Sequence, residues 1–173
     1  MSTPAGRILL GAIAGFAATL PMTVAMRRLH RSLPVQERYP LPPREITEGL
    51  PNANLPASSA TLLYHFLYGG AAGALFAGLF RRPGVAAGSA YGVSVWIASY
   101  LGWIPASGIL RLATSHPSRR NALMLTVHLV WGACLAAGLA ELEKAEANSF
   151  SLSRSPHPAL EDRKDDDIPM ALL

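Results

Sequence analysis

Charge is what this chain is short of. Only 15% of its 173 residues are Asp, Glu, Lys or Arg, against about 25% in ordinary soluble proteins. The deficit is concentrated in four runs with no formal charge at all: Ile8 to Met26, Ala60 to Phe80, Val85 to Leu110 and Asn121 to Ala140. A helix of about 20 such residues crosses the roughly 30 Å hydrocarbon core of a bilayer. A water-soluble helix needs a polar face, and four runs of this length leave almost none.

Other absences narrow the function. The single cysteine, Cys134, falls inside the last run, so no intrachain disulfide can form. Acidic residues are missing from every run, Ser58 and Ser59 have no nucleophile-elbow setting, and no glycine-rich phosphate loop precedes a helix. A soluble-type enzyme site is therefore not expected. The net charge of +4 comes from arginines that flank the runs without interleaved aromatics, which excludes a nucleic-acid surface.

What is present reads as an all-α, four-helix transmembrane bundle, with spans at about 8–28, 60–80, 85–104 and 121–140 within a membrane domain over residues 1–147. A cleaved secretory signal is the competing reading of the first run. Arg27, Arg28 and Arg31 oppose it, because they place more positive charge after the apolar core than before it. Pro21 removes the helical donor for the Ala17 carbonyl, so a kink is expected there, with Thr19 or another helix supplying a substitute.

From Arg27 to Ser59 the chain turns polar and proline-rich, with one short helix expected from Pro43 through Arg44 and Glu45 to Leu50. Leu41-Pro42-Pro43-Arg44 suits either a stiff connection or a polyproline ligand. Ser58 and Ser59 are candidate caps for the second span. The turn Arg81-Arg82-Pro83-Gly84 makes spans two and three antiparallel neighbours. Gly84, Gly88 and Gly92 form a four-residue stripe on span three that suits close helix contact, as do Gly69 and Gly132 on spans two and four. Trp96, Tyr100 and Trp103 bring span three to an aromatic end, Pro105 breaks it, and Ala106 to Thr114 suits a short interfacial helix. Residues 148–173, rich in serine, proline and charge, are expected to be a disordered tail. The lysines and arginines near the spans are in excess on the loops between spans one and two and between three and four, which places those loops in the cytoplasm and both termini outside.

Spans two and four both start from the arginine-rich side, which puts His65 and His128 about 8 to 11 Å below that boundary at 1.5 Å per residue. Thr23 and Tyr100 reach comparable depth from the other direction. His65 shares a stripe with Tyr68 and Gly69, and His128 with Trp131 and Gly132, so both rings are expected to point inward. Three readings of this layer stand: imidazoles that pin packing, a polar pocket or proton relay, or bis-imidazole ligation of haem, which needs two histidines at one depth. Haem is the alternative cofactor; otherwise neither cofactor nor metal is expected. Arg44 and Glu45, at the bundle mouth, are the one charged loop pair singled out.

Tyr39-Pro40-Leu41-Pro42-Pro43-Arg44 after the first span and His128-Leu129-Val130-Trp131 in the last resemble the bacterial inner-membrane protein family grouped with YagU, a domain of unknown function. The likeness covers roughly Arg7 to Leu139. It implies a multi-span inner-membrane protein without an established activity and supplies no catalytic residues. The expectation is an inner-membrane protein of non-enzymatic type, a small transport or accessory component, with a haem-binding redox protein or a helix-packing scaffold as alternatives. Its partners would be the lipid bilayer and a second copy or another membrane protein.

Overall fold

The computed structural model describes residues 3–40, 42–48, 56–106 and 116–152. Among them every regular element is helical and no strand occurs. Helix α1 spans Pro4–Ser32, α2 Pro42–Glu48, α3 Ala57–Leu79, α4 Val85–Ile97, α5 Ile104–Ala106 and α6 Ser118–Leu152, with a short 3-10 turn at Val35–Glu37. Three helices, Pro4–Ser32, Ser58–Leu79 and Ser118–Ser149, are long and apolar enough to cross a membrane.

The start of α1 follows from its first residues. The Thr3 hydroxyl accepts from the Gly6 N–H at 3.1 Å and Pro4 takes the first helical position, where a missing N–H costs nothing. The helix then runs through Pro21 to Ser32 without interruption. Thr19 does not compensate the Ala17 carbonyl, as expected of it. Its hydroxyl donates to the Gly15 carbonyl at 2.9 Å, and Thr23 donates to the Thr19 carbonyl at 2.7 Å.

Helix α3 begins earlier than its uncharged run. Pro56 is its N-cap and makes no side-chain cap hydrogen bond, so Ser58 and Ser59 sit in the first turn instead of capping it. The α2 helix opens at Pro42 rather than Pro43, and Leu50 lies outside the described residues.

The third apolar run changes helix type partway along. After α4 the backbone passes into π-helical turns over Ala98–Trp103 and then directly into α5. Pro105 gives the reason: it offers no N–H to the Leu101 carbonyl, and its ring would collide with that carbonyl in a regular α-helix. The wider π turn moves the carbonyl aside, and Gly102 sits at the kink with φ −110° and ψ −107°. Pro105 thus bends the run rather than ending it at once. Apart from Ala106, the interfacial helix expected up to Thr114 lies outside the described residues. At the other end of the chain, α6 continues to Leu152, past the start of the expected tail, and residues 153–173 are outside the described set.

Glycine decides which helices touch. Helix α1 packs on both α3 and α6, and α4 packs on α6. In a bilayer the hydrophobic effect does not drive helices together, so close van der Waals contact over small residues must. A Cβ added at Gly15 would sit 2.8 Å from the Gly73 Cα, and one added at Gly132 would sit 2.8 Å from the Gly88 carbonyl carbon. Gly69 likewise faces Gly15 and Thr19, and Gly92 faces the His128 carbonyl. Gly84 does not belong to this packing set. It caps α4, with open space where a Cβ would stand.

The small faces of α3 and α4 are thus spent on α1 and α6. Although only a short turn joins them, α3 and α4 meet through long side chains rather than backbone. The Tyr91 hydroxyl donates to the Ala72 carbonyl at 2.8 Å, Tyr68 and Ser99 share a 2.8 Å hydrogen bond, and the Phe76 and Tyr91 rings are 4.9 Å apart. The core behind them contains Phe76, Leu135, Leu139 and Val127, all fully buried.

Candidate functional site

The splayed α3–α4 seam leaves space that the glycine-sealed seams do not. A cavity of about 430 Å³ lies there, walled by Tyr64, His65 and Tyr68 from α3, by Trp96, Ser99, Tyr100 and Trp103 from the other side, and by His128 at the back. Pro43 and Thr47 of α2 form its rim. A second cavity of about 390 Å³ continues along the same seam, sharing Tyr68 and Ala71 and reaching Leu75 and Tyr91. A small space of about 40 Å³ joins Thr19, His65, Gly69 and His128 in the interior, room for about one water molecule.

The histidines arrive by different routes. His128 bonds through Nδ1 to the Met124 carbonyl one turn earlier, at 2.7 Å. A carbonyl only accepts, so Nδ1 carries a proton, and when the ring is neutral the lone pair is on Nε2. The His65 ring has no hydrogen-bond partner among the described residues and lies 6.3 Å from the Phe66 ring. Both imidazoles line the same two spaces. One fixed tautomer beside one uncommitted ring can accept and pass a proton, or hold a donor-bearing solute.

Around them the aromatics are ordered by contact. Trp96 stacks on Tyr100 at 6.0 Å and 19° between planes, while the Tyr68 and Trp103 rings lie 6.3 Å apart. The buried Trp96 Nε1–H has no acceptor among the described residues. Trp131 lines the small space, and its Nε1–H donates to the Gly15 carbonyl at 3.2 Å, which ties α6 to α1 behind the histidines.

The mouth is organised by one buried cation. Arg120 is 3% exposed, and its guanidinium donates to the carbonyls of Glu37, Tyr39 and Pro40 at 3.0, 2.9 and 2.8 Å. These bonds pull the first loop over the start of α6. The Tyr39 hydroxyl bonds His116 Nδ1 at 2.8 Å. Burial pushes the Tyr39 phenol above its ordinary value of 10.0, with the Arg120 charge acting the other way.

Of the residues singled out in the sequence, His65, His128, Tyr68, Tyr100 and Trp131 line these spaces. Thr23 lines neither of them; it is buried, and its hydroxyl is turned back onto its own helix. Arg44 is exposed and Glu45 half-buried on α2, beside the rim residues Pro43 and Thr47. Sequence reasoning missed Thr19, Met22, Trp96, Ser99 and Met124 as lining residues. For Thr19 and Met22 a signal existed: they continue the stripe that Gly15 starts on α1. Arg120 gave none, since it counted only as one more loop arginine.

No protein-family model, curated protein or solved structure matches this chain.

Proposed function

We propose that this chain is a four-span integral membrane protein that binds or passes a small solute or a proton through the cavity between α3 and α4. The observation that carries this reading is the placing of His65 and His128 on one cavity of about 430 Å³ with tyrosine and tryptophan walls. A mostly apolar pocket with a few convergent polar groups is the usual form of a small-molecule site. An ionisable residue inside a membrane segment is a functional-site hypothesis by default.

The fourth crossing in this proposal is α4 with its π-helical continuation and α5. The elements follow one another from Val85 to Ala106 with one non-helical residue, Gly102, at the kink, a length of about 30 Å at near 1.5 Å per residue. A bacterial inner membrane, a non-enzymatic transport or accessory role and the YagU-like family resemblance belong to the same proposal. A haem held by His65 and His128 is the second reading, since both rings line the same cavity of about 430 Å³.

The test is a reconstituted proton flux. Vesicles carrying the protein and an internal pH dye should dissipate an imposed pH gradient faster than protein-free vesicles. The His65→Ala/His128→Ala variant should fall to the protein-free rate. Wild type indistinguishable from empty vesicles, in the presence and absence of candidate solutes, would remove the transport reading. A Soret band after haem-supplemented expression, lost in either single variant, would promote haem instead.

A further inference from the structure

Among the described residues the histidine cavity is not the only large one. Another, of about 800 Å³, lies at the opposite end of the bundle, between the α3–α4 turn and the stretch of α6 beyond its uncharged run. We infer that it binds the phosphate group of an anionic amphiphile, with Arg81 and Arg82 as the phosphate ligands.

The lining divides into two zones. Ala136, Leu139 and Ala140 form an apolar wall from the last turns of the uncharged part of α6, while Arg7, Arg81, Arg82 and Lys144 bring positive charge to the rim. Two carboxylates, Glu143 and Glu146, share that rim. Not all of these charges are available. Arg7 Nε donates to Glu143 Oε1 at 2.7 Å and its Nη1 donates to the Ala77 carbonyl, so this arginine clamps α1 to α6 and α3, while its buried Nη2 has no hydrogen-bond partner among the described residues. Lys144 pairs with Glu141 at 2.7 Å. Arg81 and Arg82 are exposed and have no hydrogen bond or ion pair among the described residues, which leaves two cations facing the cavity against the single carboxylate of Glu146.

Their position matches a headgroup. Leu79 and Phe80, 63% and 39% exposed, end the apolar surface of α3 immediately before Arg81, so the arginine pair stands where acyl chains give way to phosphates. Guanidinium is the side chain best matched to phosphate oxygens because its planar fork can donate two parallel hydrogen bonds. Arg82 also holds φ at 53°, a left-handed conformation that glycine adopts freely and an L side chain does not. The turn therefore presents a charged side chain where a glycine would be easier.

A lipid headgroup and free phosphate offer the same oxygens, and binding to the full-length protein in a neutral detergent separates them. Phosphatidylglycerol, phosphatidylcholine and inorganic phosphate would each be titrated at matched ionic strength and read by retained ligand and by Tm. Phosphatidylglycerol should bind and raise Tm, and phosphatidylcholine should do so weakly. In Arg81→Gln/Arg82→Gln the phosphatidylglycerol affinity should fall about thirtyfold, each cation near an anionic headgroup being worth about fivefold. Arg28→Gln/Arg31→Gln, at the far end of α1, should bind as wild type. Inorganic phosphate reproducing the full effect would keep the site and reassign its source to a soluble anion. Equal affinity of the Arg81→Gln/Arg82→Gln variant and wild type, or equal effects of the two lipids, would overturn the inference. Should the double variant fail to fold, each single variant is read against the fivefold expectation. The outcome is independent of the histidine cavity, which lies toward the other end of the bundle.

Discussion

The guanidinium carbon of Arg120 lies 3.4 Å from the centroid of the Tyr39 ring, while the same guanidinium donates to three carbonyls of the segment that carries that ring. A cation buried in this way is held by the fork geometry of its donors and by the ring quadrupole together. Arg120→Met would leave the Glu37 and Pro40 carbonyls without their donor and the Tyr39 carbonyl with His30 Nε2 alone, at about 1 to 3 kcal/mol for each group left unsatisfied, and should lower Tm in detergent markedly. Arg120→Lys should recover little of the loss, because a point ammonium cannot span three acceptors and stack at once. Full rescue by lysine would mean that charge alone, not the fork, holds the loop.

The same loop has a pH dependence with a definite sign. Burial raises the Tyr39 phenol in the folded state above 10.0 and the Arg120 charge opposes it. A raised folded value means that the fold favours the neutral phenol, so this contribution is complete below about pH 10 and is lost as pH rises through the folded value. Tyr39→Phe should abolish that alkaline loss while removing the 2.8 Å bond to His116. Thermal melts between pH 8 and about pH 11 for the two proteins check this. Parallel curves would show that Tyr39 does not carry the dependence.

Glycine substitutions should divide sharply by seam. Gly88→Leu and Gly132→Leu drive a side chain into backbone across α4 and α6, and should abolish the folded monodisperse species in size exclusion. Gly78→Ala meets open space on α3 and should be neutral or stabilise by up to about 1 kcal/mol, the helix-propensity difference. A destabilised Gly78→Ala with a tolerated Gly132→Leu would reverse the assignment of which glycines pack.

At the other end, Arg7 does two jobs and Glu143 one. Arg7 donates both to Glu143 and to the Ala77 carbonyl, and the ion-paired side chains are only 18% and 25% exposed. Arg7→Ala should therefore destabilise more than Glu143→Gln, by about 1 to 2 kcal/mol on the scale of a charge-assisted hydrogen bond. Denaturation of the two single variants and the double variant measures the coupling. Equal losses would mean that the bond to Ala77 contributes nothing.

How much of this was legible in the sequence follows from the kind of signal each feature leaves. The all-helical class was, because uncharged runs of about 20 residues have a readable length, although α3 starts at Ala57 and α6 runs on to Leu152, beyond the ends of their runs. That His65 shares a helical face with Gly69, and His128 with Gly132, follows from four-residue spacing alone. The change of helix type at Ala98–Trp103 was not legible. Pro105 announces a disturbance, but whether the backbone breaks or widens into π turns is settled by packing around Tyr100 and Ile104, both buried. Nor was the splayed α3–α4 seam. A short turn guarantees adjacency, whereas closeness depends on where the glycines face, and those of α3 turn toward α1 and those of α4 toward α6. Thr23 lies at the right depth and yet outside the cavity, since depth fixes height along an axis and not rotation about it.

The four-span proposal requires the run from Val85 to Ala106 to cross the bilayer beside the three long apolar helices. Replacing Cys134 with serine removes the native thiol, after which single cysteines at Arg82 and at Ser118 report the two ends of that run to a membrane-impermeant maleimide. Labelling of one from outside the cell and of the other only after permeabilisation is the predicted result. Labelling of both from the same side would contradict it.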